Sequence, residues 1–308
     1  MKTSIQNSIV DKRLGMEKAF ELIAEAGFEA VDLSVTGNMI PWEERPFTDP
    51  FSPEFRDCFR KIRSAADQQG LELYMTHAPY CRPFQCDPDL YAAVQRQIIR
   101  SVYATAEMDC RYIVAHPILY PEFNNGARRE EAIRTNLEFF GQLAPVLKET
   151  GVVMCIENLY WGLVGKAKVS NACSGADQLI EVIDTLNGIH GPLFAACLAT
   201  GHAVCAGHDP VTMLRALGGR TRALHLHESW GLLDDHLFPA TTGDLDWNEF
   251  CRVLGETGYE GTLNFEAILY PQNAYTDEAA YEAFRDAALK MLSGVARSLA
   301  KIAEGAGR

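Results

Sequence analysis

Several features are missing from this sequence of 308 residues, and each absence argues against a class of protein. No stretch reaches the roughly 18 apolar residues of a membrane-spanning helix, and the start, MKTSIQN, lacks the continuous apolar segment of a secretory signal. Nine cysteines are scattered without a CxxC pair, which favours reduced thiols over a disulfide framework. We therefore expect a soluble, cytoplasmic protein.

Positive charge is also scarce, which limits the partners that the protein can bind. The chain has 28 Lys and Arg residues against 41 Asp and Glu residues, a formal net charge of -13. Its densest basic clusters, Arg128 with Arg129 and Arg220 with Arg222, are typical of solvated helix and loop charge. Because a polyanion would be repelled by such a surface, we expect no nucleic-acid partner.

No Pro-rich or low-complexity linker interrupts the chain; β-rich runs alternate with longer helical patterns throughout. This alternation predicts βαβ units and a parallel sheet. The eight runs lie at about 3–9, 28–34, 71–77, 111–116, 152–157, 193–198, 221–227 and 261–267. Eight units, without a Gly-rich phosphate loop after the first, favour an α/β fold of the (β/α)8 TIM barrel type, with residues 1–308 as a single domain.

Local patterns support these units. Residues 16–26 place their apolar side chains on one face, as an amphipathic helix does. Four predicted helices end at a glycine just before a strand, at Gly27, Gly70, Gly151 and Gly258. Continuous apolar runs such as 112–115 are typical of parallel strands that are covered on both faces.

Residues able to bind a metal stand at or just after the ends of the later strands. In chain order they are His77, His116, Glu157, His202, His225 and Glu266. The strand ends of a barrel meet at one rim, where barrel enzymes build their sites. The long connections, about 35–53, 78–87, 158–174 and 228–246, also follow strands and would cover that rim. So many buried imidazoles and carboxylates are costly without a shared cation.

Glu157, His225 and Glu266 form the best core of such a site. Two carboxylates and an imidazole suit Mn, Mg, Co or Zn and leave positions open for substrate oxygens. A metal placed there would polarise a carbonyl, while a carboxylate removes and returns a proton on the neighbouring carbon. The trio therefore predicts isomerase or epimerase chemistry with one divalent metal ion.

Short motifs around these residues carry a family resemblance. They are THAPY around His77, IVAHP around His116, IEN at Glu157, CLATGHA around His202, LHLHES at His225, DDH at 234–236, TGDLDW after it, and FE at Glu266. In them the chain resembles the xylose-isomerase-like superfamily of barrels, which includes sugar isomerases, sugar epimerases and apurinic endonucleases. The motifs span predicted strands three to eight, most of the chain, but they do not choose a substrate.

The resemblance implies a small carbohydrate as substrate and a role for each rim residue. Glu157, His225 and Glu266 would bind the metal, and Glu157, Glu266 and His202 would carry the catalytic proton transfers or orient a substrate hydroxyl. Substrate contacts would come from His77, His116, Trp161, His227 and His236. A homo-oligomer is left open by analogy with other such barrels.

Ala199 departs from the family pattern, which has an aspartate ligand in the segment that reads CLATGH here. Three outcomes stay open. The metal is held by the remaining trio with water or His202, or it binds weakly, or activity is lost and the chain is a sugar-binding or regulatory barrel.

A second catalytic alternative is phosphodiester hydrolysis at abasic sites. Extra ligand positions of trinuclear zinc endonucleases are matched by His77, His116, His202, Asp234 and His236. The charge of -13 and Ala199 speak against this function.

Other positions bear on the identity of the sugar. Leu163 and Gly231 stand about where ketohexose epimerases of the family have a glutamate and an arginine, which weakens that substrate class. Aromatic rings that could pack on a sugar stand in predicted rim loops, at Trp42, Tyr80, Trp161 and Trp230. Lys166 and Lys168 could meet a phosphate but are more typical of solvated loop charge, so the phosphorylation state of the sugar, or polyol, stays open.

Overall fold

Among the residues that the structure describes, ten strands form, and eight of them lie side by side in one parallel sheet. The strands are β1 (Thr3–Gln6), β2 (Ala30–Ser34), β3 (Glu72–His77), β4 (Tyr112–Ala115), β5 (Val153–Glu157), β6 (Tyr160–Val164), β7 (Ala167–Ser170), β8 (Phe194–Ala199), β9 (Thr221–His225) and β10 (Leu263–Phe265). The computed structural model describes residues 1–10, 14–35, 49–79, 88–118, 126–164, 167–170, 172–267 and 277–307.

The sheet closes on itself. Its strand order is β10-β1-β2-β3-β4-β5-β8-β9, and the two end strands meet just beyond β9. There the backbone N–H of Leu226 donates to the carbonyl of Asn264 at 2.9 Å, and the N–H of Glu266 donates to the carbonyl of Leu226 at 3.1 Å. The prediction of a (β/α)8 barrel is confirmed, with all eight barrel strands inside or overlapping the predicted runs.

Helices surround the sheet. They are α1 (Met16–Ala26), α2 (Pro53–Gln68), α3 (Pro88–Glu107), α4 (Gly126–Gly141), α5 (Ala144–Thr150), α6 (Ala176–His190), α7 (Thr200–Ala206), α8 (Pro210–Leu217), α9 (Trp247–Glu256) and α10 (Glu278–Ala306). The bounds of α1 are those predicted from its apolar face. Gly27 and Gly151 end α1 and α5 in the left-handed conformation, with φ of 93° and 74°, as the glycine pattern predicted.

The segment after β5 differs from its prediction as a plain rim loop. Within it, β6 and β7 pair as an antiparallel hairpin. The sequence did not indicate these two strands. They follow β5, the strand already predicted for this part of the barrel, so the segment was assigned to a connection between β5 and the next strand.

The buried apolar residues form a main hydrophobic core and a smaller separate cluster. Large side chains, among them Phe20, Phe140 and Phe250, are fully buried in the main hydrophobic core, to which both strands and helices contribute. A separate cluster of mostly small residues joins neighbouring strands: Met75, Val114, Cys155, Ala195, Cys197 and Ala223. Large residues therefore dominate the main core, while the smaller cluster packs the interior between neighbouring strands of the sheet.

Two further findings concern the described residues. No helix among them is both long and apolar enough to cross a bilayer. The seven cysteines in the described ranges carry free thiols, whereas Cys81 and Cys86 lie outside those ranges.

Candidate metal centre

The rim collects the residues that the sequence placed there. His77, Glu157 and His225 are the last residues of β3, β5 and β9. His116 and Glu266 follow β4 and β10 directly, and His202 lies in α7, just after β8. One end of a parallel barrel thus holds six side chains that can bind a cation, because all its strands end on the same side.

Glu157 lies at the centre of this group and is fully buried. Four imidazoles approach its two carboxylate oxygens, those of His225 at 2.9 Å, His116 at 3.0 Å, His202 at 3.1 Å and His77 at 3.4 Å. Burial by itself would raise the pKa of Glu157, but the facing His225 and His116 rings lower it well below its ordinary value. Glu157 is therefore held as a carboxylate.

His225 connects the two carboxylates of the trio. Its Nδ1 lies 2.9 Å from Oε1 of Glu157 and 3.2 Å from Oε2 of Glu266. Nδ1 is hydrogen-bonded to Glu157, and all three groups stand close enough to become ligands of one divalent cation. Gln6 fixes the other oxygen of Glu266 by donating from Nε2 at 2.6 Å.

The opposite nitrogen of His225 faces Asp32, a fully buried residue of β2. The Nε2 to Oδ2 distance is 3.2 Å, and Nδ2 of Asn264 lies 3.4 Å from the same oxygen. An imidazole that binds a metal through one nitrogen commonly donates its other N–H to a carboxylate. Asp32 places such a carboxylate at ion-pair distance from Nε2 of His225.

A second group of potential ligands lies beside the first. It consists of His202, His227, Asp234 and His236, each with one donor atom within 4.8 Å of the others. Oδ2 of Asp234 lies 3.1 Å from Nε2 of His202 and 3.0 Å from Nε2 of His236. Burial opposes protonation of His236, yet Glu266 and Asp234 raise its pKa to about 9. His236 also adopts a φ of 47°, uncommon for a residue other than glycine.

His227 is the unusual member of this second group. It is fully buried, and neither ring nitrogen has a hydrogen-bond partner among the described residues. Its ring stacks on that of His236 with centroids 4.2 Å apart. Burial, together with the neighbouring His236 and His202, holds the pKa of His227 well below its ordinary value. A neutral buried imidazole without partners is costly unless a ligand or water meets it.

Two more groups share Glu157. His77 and His116 form one with it, and Cys197 and His225 form the other. Burial raises the pKa of the Cys197 thiol to about 12, so the thiol stays protonated without a metal. Each of these three groups keeps its donor atoms within 4.8 Å of one another, which fits a cation in chemistry and spacing, whereas Glu266 belongs to none of them.

Ala199 is buried at the end of β8 and is the register partner of His225. Its backbone N–H donates to Oδ1 of Asn158 at 2.7 Å, and its carbonyl accepts from Nδ2 of the same amide at 3.0 Å. The backbone at this position is thus fixed, and its side chain offers no ligand atom.

Some predicted contact residues cannot be placed. Trp42, Tyr80 and Lys166 lie outside the described residues, as do the side chains of Trp161 and Lys168. Trp230 is described, and it is 60% exposed in the connection after β9.

Sequence reasoning missed three polar residues inside the barrel, Gln6, Asp32 and Asn264. Asp32 and Asn264 gave a signal, because each is flanked by apolar residues in a strand that should be buried on both faces, whereas Gln6 gave none, because its strand, TSIQ, is mostly polar.

Comparison with known proteins identifies the family. Residues 20–287 match the model of the family described as xylose isomerase-like TIM barrel. The chain belongs to this family. That membership confirms the resemblance inferred from the rim motifs.

Relatives with known sequences extend the comparison. The uncharacterized protein Rv0498 of Mycobacterium tuberculosis is 24% identical over 273 residues, which cover 82% of this chain and 84% of that protein. The uncharacterized protein y4fM of Sinorhizobium fredii is 34% identical over 86 residues, which cover 28% of this chain and only 26% of that protein.

Solved structures with a similar fold include sugar epimerases. D-psicose 3-epimerase from Clostridium cellulolyticum H10, solved with D-tagatose, superposes with a TM-score of 0.72. The two chains are 16% identical, and the match covers 97% of this chain and 99% of that one. At this identity the likeness establishes the fold.

Proposed function

We propose that the protein is a metal-dependent isomerase or epimerase of a small carbohydrate, and that it moves a proton on the carbon next to a carbonyl. The observation that carries the proposal is the meeting of Glu157 and Glu266 at Nδ1 of His225. The sugar epimerases among its structural neighbours support the choice of substrate class.

The two carboxylates differ in ways that assign their roles. Glu157 is fully buried, and its burial would raise the pKa of the carboxyl. The neighbouring imidazoles outweigh this effect and lower the pKa, so Glu157 binds the cation and accepts protons poorly. The side chain of Glu266 is 13% exposed and has one oxygen fixed by Gln6, so it can meet a substrate from the open side. Glu266 is therefore the better proton carrier.

The remaining rim residues position the substrate. A divalent ion bound by Glu157, His225 and Glu266 supplies a Lewis acid for the carbonyl. His202, held between Glu157 and Asp234, orients a hydroxyl or shares the proton transfer. His77, His116, His227 and His236 surround the same space and offer polar contacts to a sugar, with Trp161 proposed at its edge.

The test is hydrogen exchange from solvent into a sugar. Wild-type protein loaded with Mn²⁺ or Co²⁺ is incubated in deuterated water with a panel of unphosphorylated ketoses and aldoses, and deuterium on carbon is measured by mass spectrometry. Glu266→Gln should abolish exchange. Glu249→Gln, at a partly exposed glutamate on the surface of α9, is the matched control and should leave exchange intact. Exchange that survives in the Glu266 variant contradicts the mechanism.

Phosphodiester hydrolysis is supported by one observation, the second ligand group of His202, His227, Asp234 and His236. Additional cations there would polarise a phosphate and activate water. The net charge of -13 favours a small substrate over a nucleic acid. Incision of an abasic duplex by the metal-loaded protein, lost in Asp234→Asn, would favour hydrolysis.

A sugar that stabilises the protein but is never converted would favour a binding module.

A further inference from the structure

β8 lies between β5 and β9 in the sheet, but unlike them it ends without a residue that can bind a metal. β5, β9 and the segment after β10 each supply a residue of the trio, whereas β8 ends in Ala199. Side chains two residues apart on a strand point to the same face. The next residue of β8 on the face of Ala199 is Cys197.

Cys197 lies where it can contact the proposed metal. It is fully buried, and it is the register partner of Glu157 across the pairing of β5 and β8. Its sulfur, one carboxylate oxygen of Glu157 and one ring nitrogen of His225 all lie within 4.8 Å of one another. Zinc binds sulfur at about 2.3 Å and nitrogen at about 2.0 Å, so small side-chain shifts bring all three atoms to one ion.

Cys155 shows that burial inside the barrel does not by itself create this arrangement. It is also a fully buried cysteine, on the adjacent strand β5, and it belongs to the same cluster of small residues as Cys197. It pairs in register with Ala195, one layer below Glu157. Cys155 belongs to no group of potential ligands among the described residues.

We propose that the Cys197 thiolate is a ligand of the divalent metal, in place of a carboxylate at position 199. The inference rests on the proposed function only in requiring a metal at Glu157 and His225. On binding, the S–H bond breaks, a sulfur–metal bond forms and the proton leaves to solvent, without oxidation or reduction. The substrate chemistry is unchanged.

The proposal changes the metal that the site selects. Carboxylate-rich sites suit Mg²⁺ and Mn²⁺, whereas a thiolate favours Zn²⁺ and other softer ions. With one sulfur, one imidazole and the carboxylate of Glu157, the site should bind Zn²⁺ and Co²⁺ in preference to Mn²⁺ and Mg²⁺.

Cobalt provides a direct test, because a thiolate bound to Co²⁺ gives a charge-transfer band in the near ultraviolet that oxygen and nitrogen ligands do not give. Metal-depleted full-length protein is titrated with Co²⁺, and absorbance and bound metal are both recorded. The variants are Cys197→Ser, the matched control Cys155→Ser, and the double variant Cys197→Ser with Ala199→Asp.

Wild type and Cys155→Ser should show the band at one thiolate per bound ion. Cys197→Ser should lose the band and bind Co²⁺ at least about tenfold more weakly, a loss typical of disturbed metal sites. The double variant should recover affinity without the band and prefer Mn²⁺.

Stoichiometric Co²⁺ without a thiolate band, at unchanged affinity in Cys197→Ser, overturns the Cys197 proposal and leaves the metal site standing. Absence of any bound Co²⁺ in the wild type overturns both. The two failures are thereby distinguished without an activity measurement.

Discussion

His225 and Asp32 form a buried pair inside the barrel, with Nε2 of the imidazole 3.2 Å from Oδ2 of the carboxylate. The other ring nitrogen faces Glu157. When Nδ1 binds a metal, the ring proton would lie on Nε2, and the neighbouring carboxylate of Asp32 would stabilise that tautomer. Asp32 is thus a positioning residue for the site, although it stands on a strand distant in sequence.

Asp32→Asn should weaken metal binding by about 10-fold to 100-fold, because the amide no longer supports the Nε2 proton with a full charge. Competition with a chromogenic chelator measures the affinity. Asp184→Asn, which removes an exposed ion pair with Arg220, is the matched control and should bind metal as wild type does. Equal affinity in both variants would show that Asp32 does not orient His225.

Gly201 accommodates the ring of His227, since an added Cβ there would stand 2.3 Å from its Nδ1. Gly201→Ala should therefore destabilise the protein by about 1–3 kcal/mol, the usual range for overpacking. Gly188→Ala, in α6 with open space around the Cβ position, should stabilise it by about 0.5–1 kcal/mol. Urea unfolding of the two variants checks the opposite signs. If both variants had a higher free energy of unfolding than the wild type, the ring of His227 would move aside freely.

Glu228 joins the beginning of the connection between β9 and α9, which carries Asp234 and His236, to the end of that connection by hydrogen bonds. Its buried carboxylate accepts from the backbone N–H groups of Ala240 and Thr242 at 2.7 and 2.6 Å, and from the indole of Trp247. Glu228→Gln replaces one carboxylate oxygen by an amide N–H₂ group, which cannot accept hydrogen bonds from these N–H groups. The change should therefore lower the free energy of unfolding by about 1–3 kcal/mol.

The matched control for this change is Glu249→Gln, at an exposed ion pair with Arg215 and Arg252, which should lose much less stability. Thermal and urea unfolding compare the two variants. Similar losses would indicate that Glu228 does not hold the connection in place.

The barrel was predictable because the same pattern, a strand followed by a helix, recurs along the whole sequence. Most strands are short, mainly apolar runs between helical patterns, and the predicted metal ligands stand at or just after the ends of such runs, so one topology accounts for them. The bounds of α1 followed from its apolar spacing alone.

The hairpin and the buried supporting residues were harder to predict. β6 and β7 lie in a segment whose length already suggested a rim loop. Asp32 and Cys197 occupy strand interiors, and only the closed geometry shows that Asp32 faces His225 and that Cys197 stands beside Glu157. Such relations join strands far apart in sequence, which periodicity along one strand cannot reveal.

Metal content tests the central claim most directly. The protein is stripped with a chelator, reloaded with Zn²⁺, Co²⁺ or Mn²⁺, freed of excess ion and measured by plasma mass spectrometry, beside Glu157→Gln. We expect at least one tightly bound ion per wild-type chain and a loss of about one ion in the variant. A wild-type chain that retains no stoichiometric ion under any of these conditions would contradict the account.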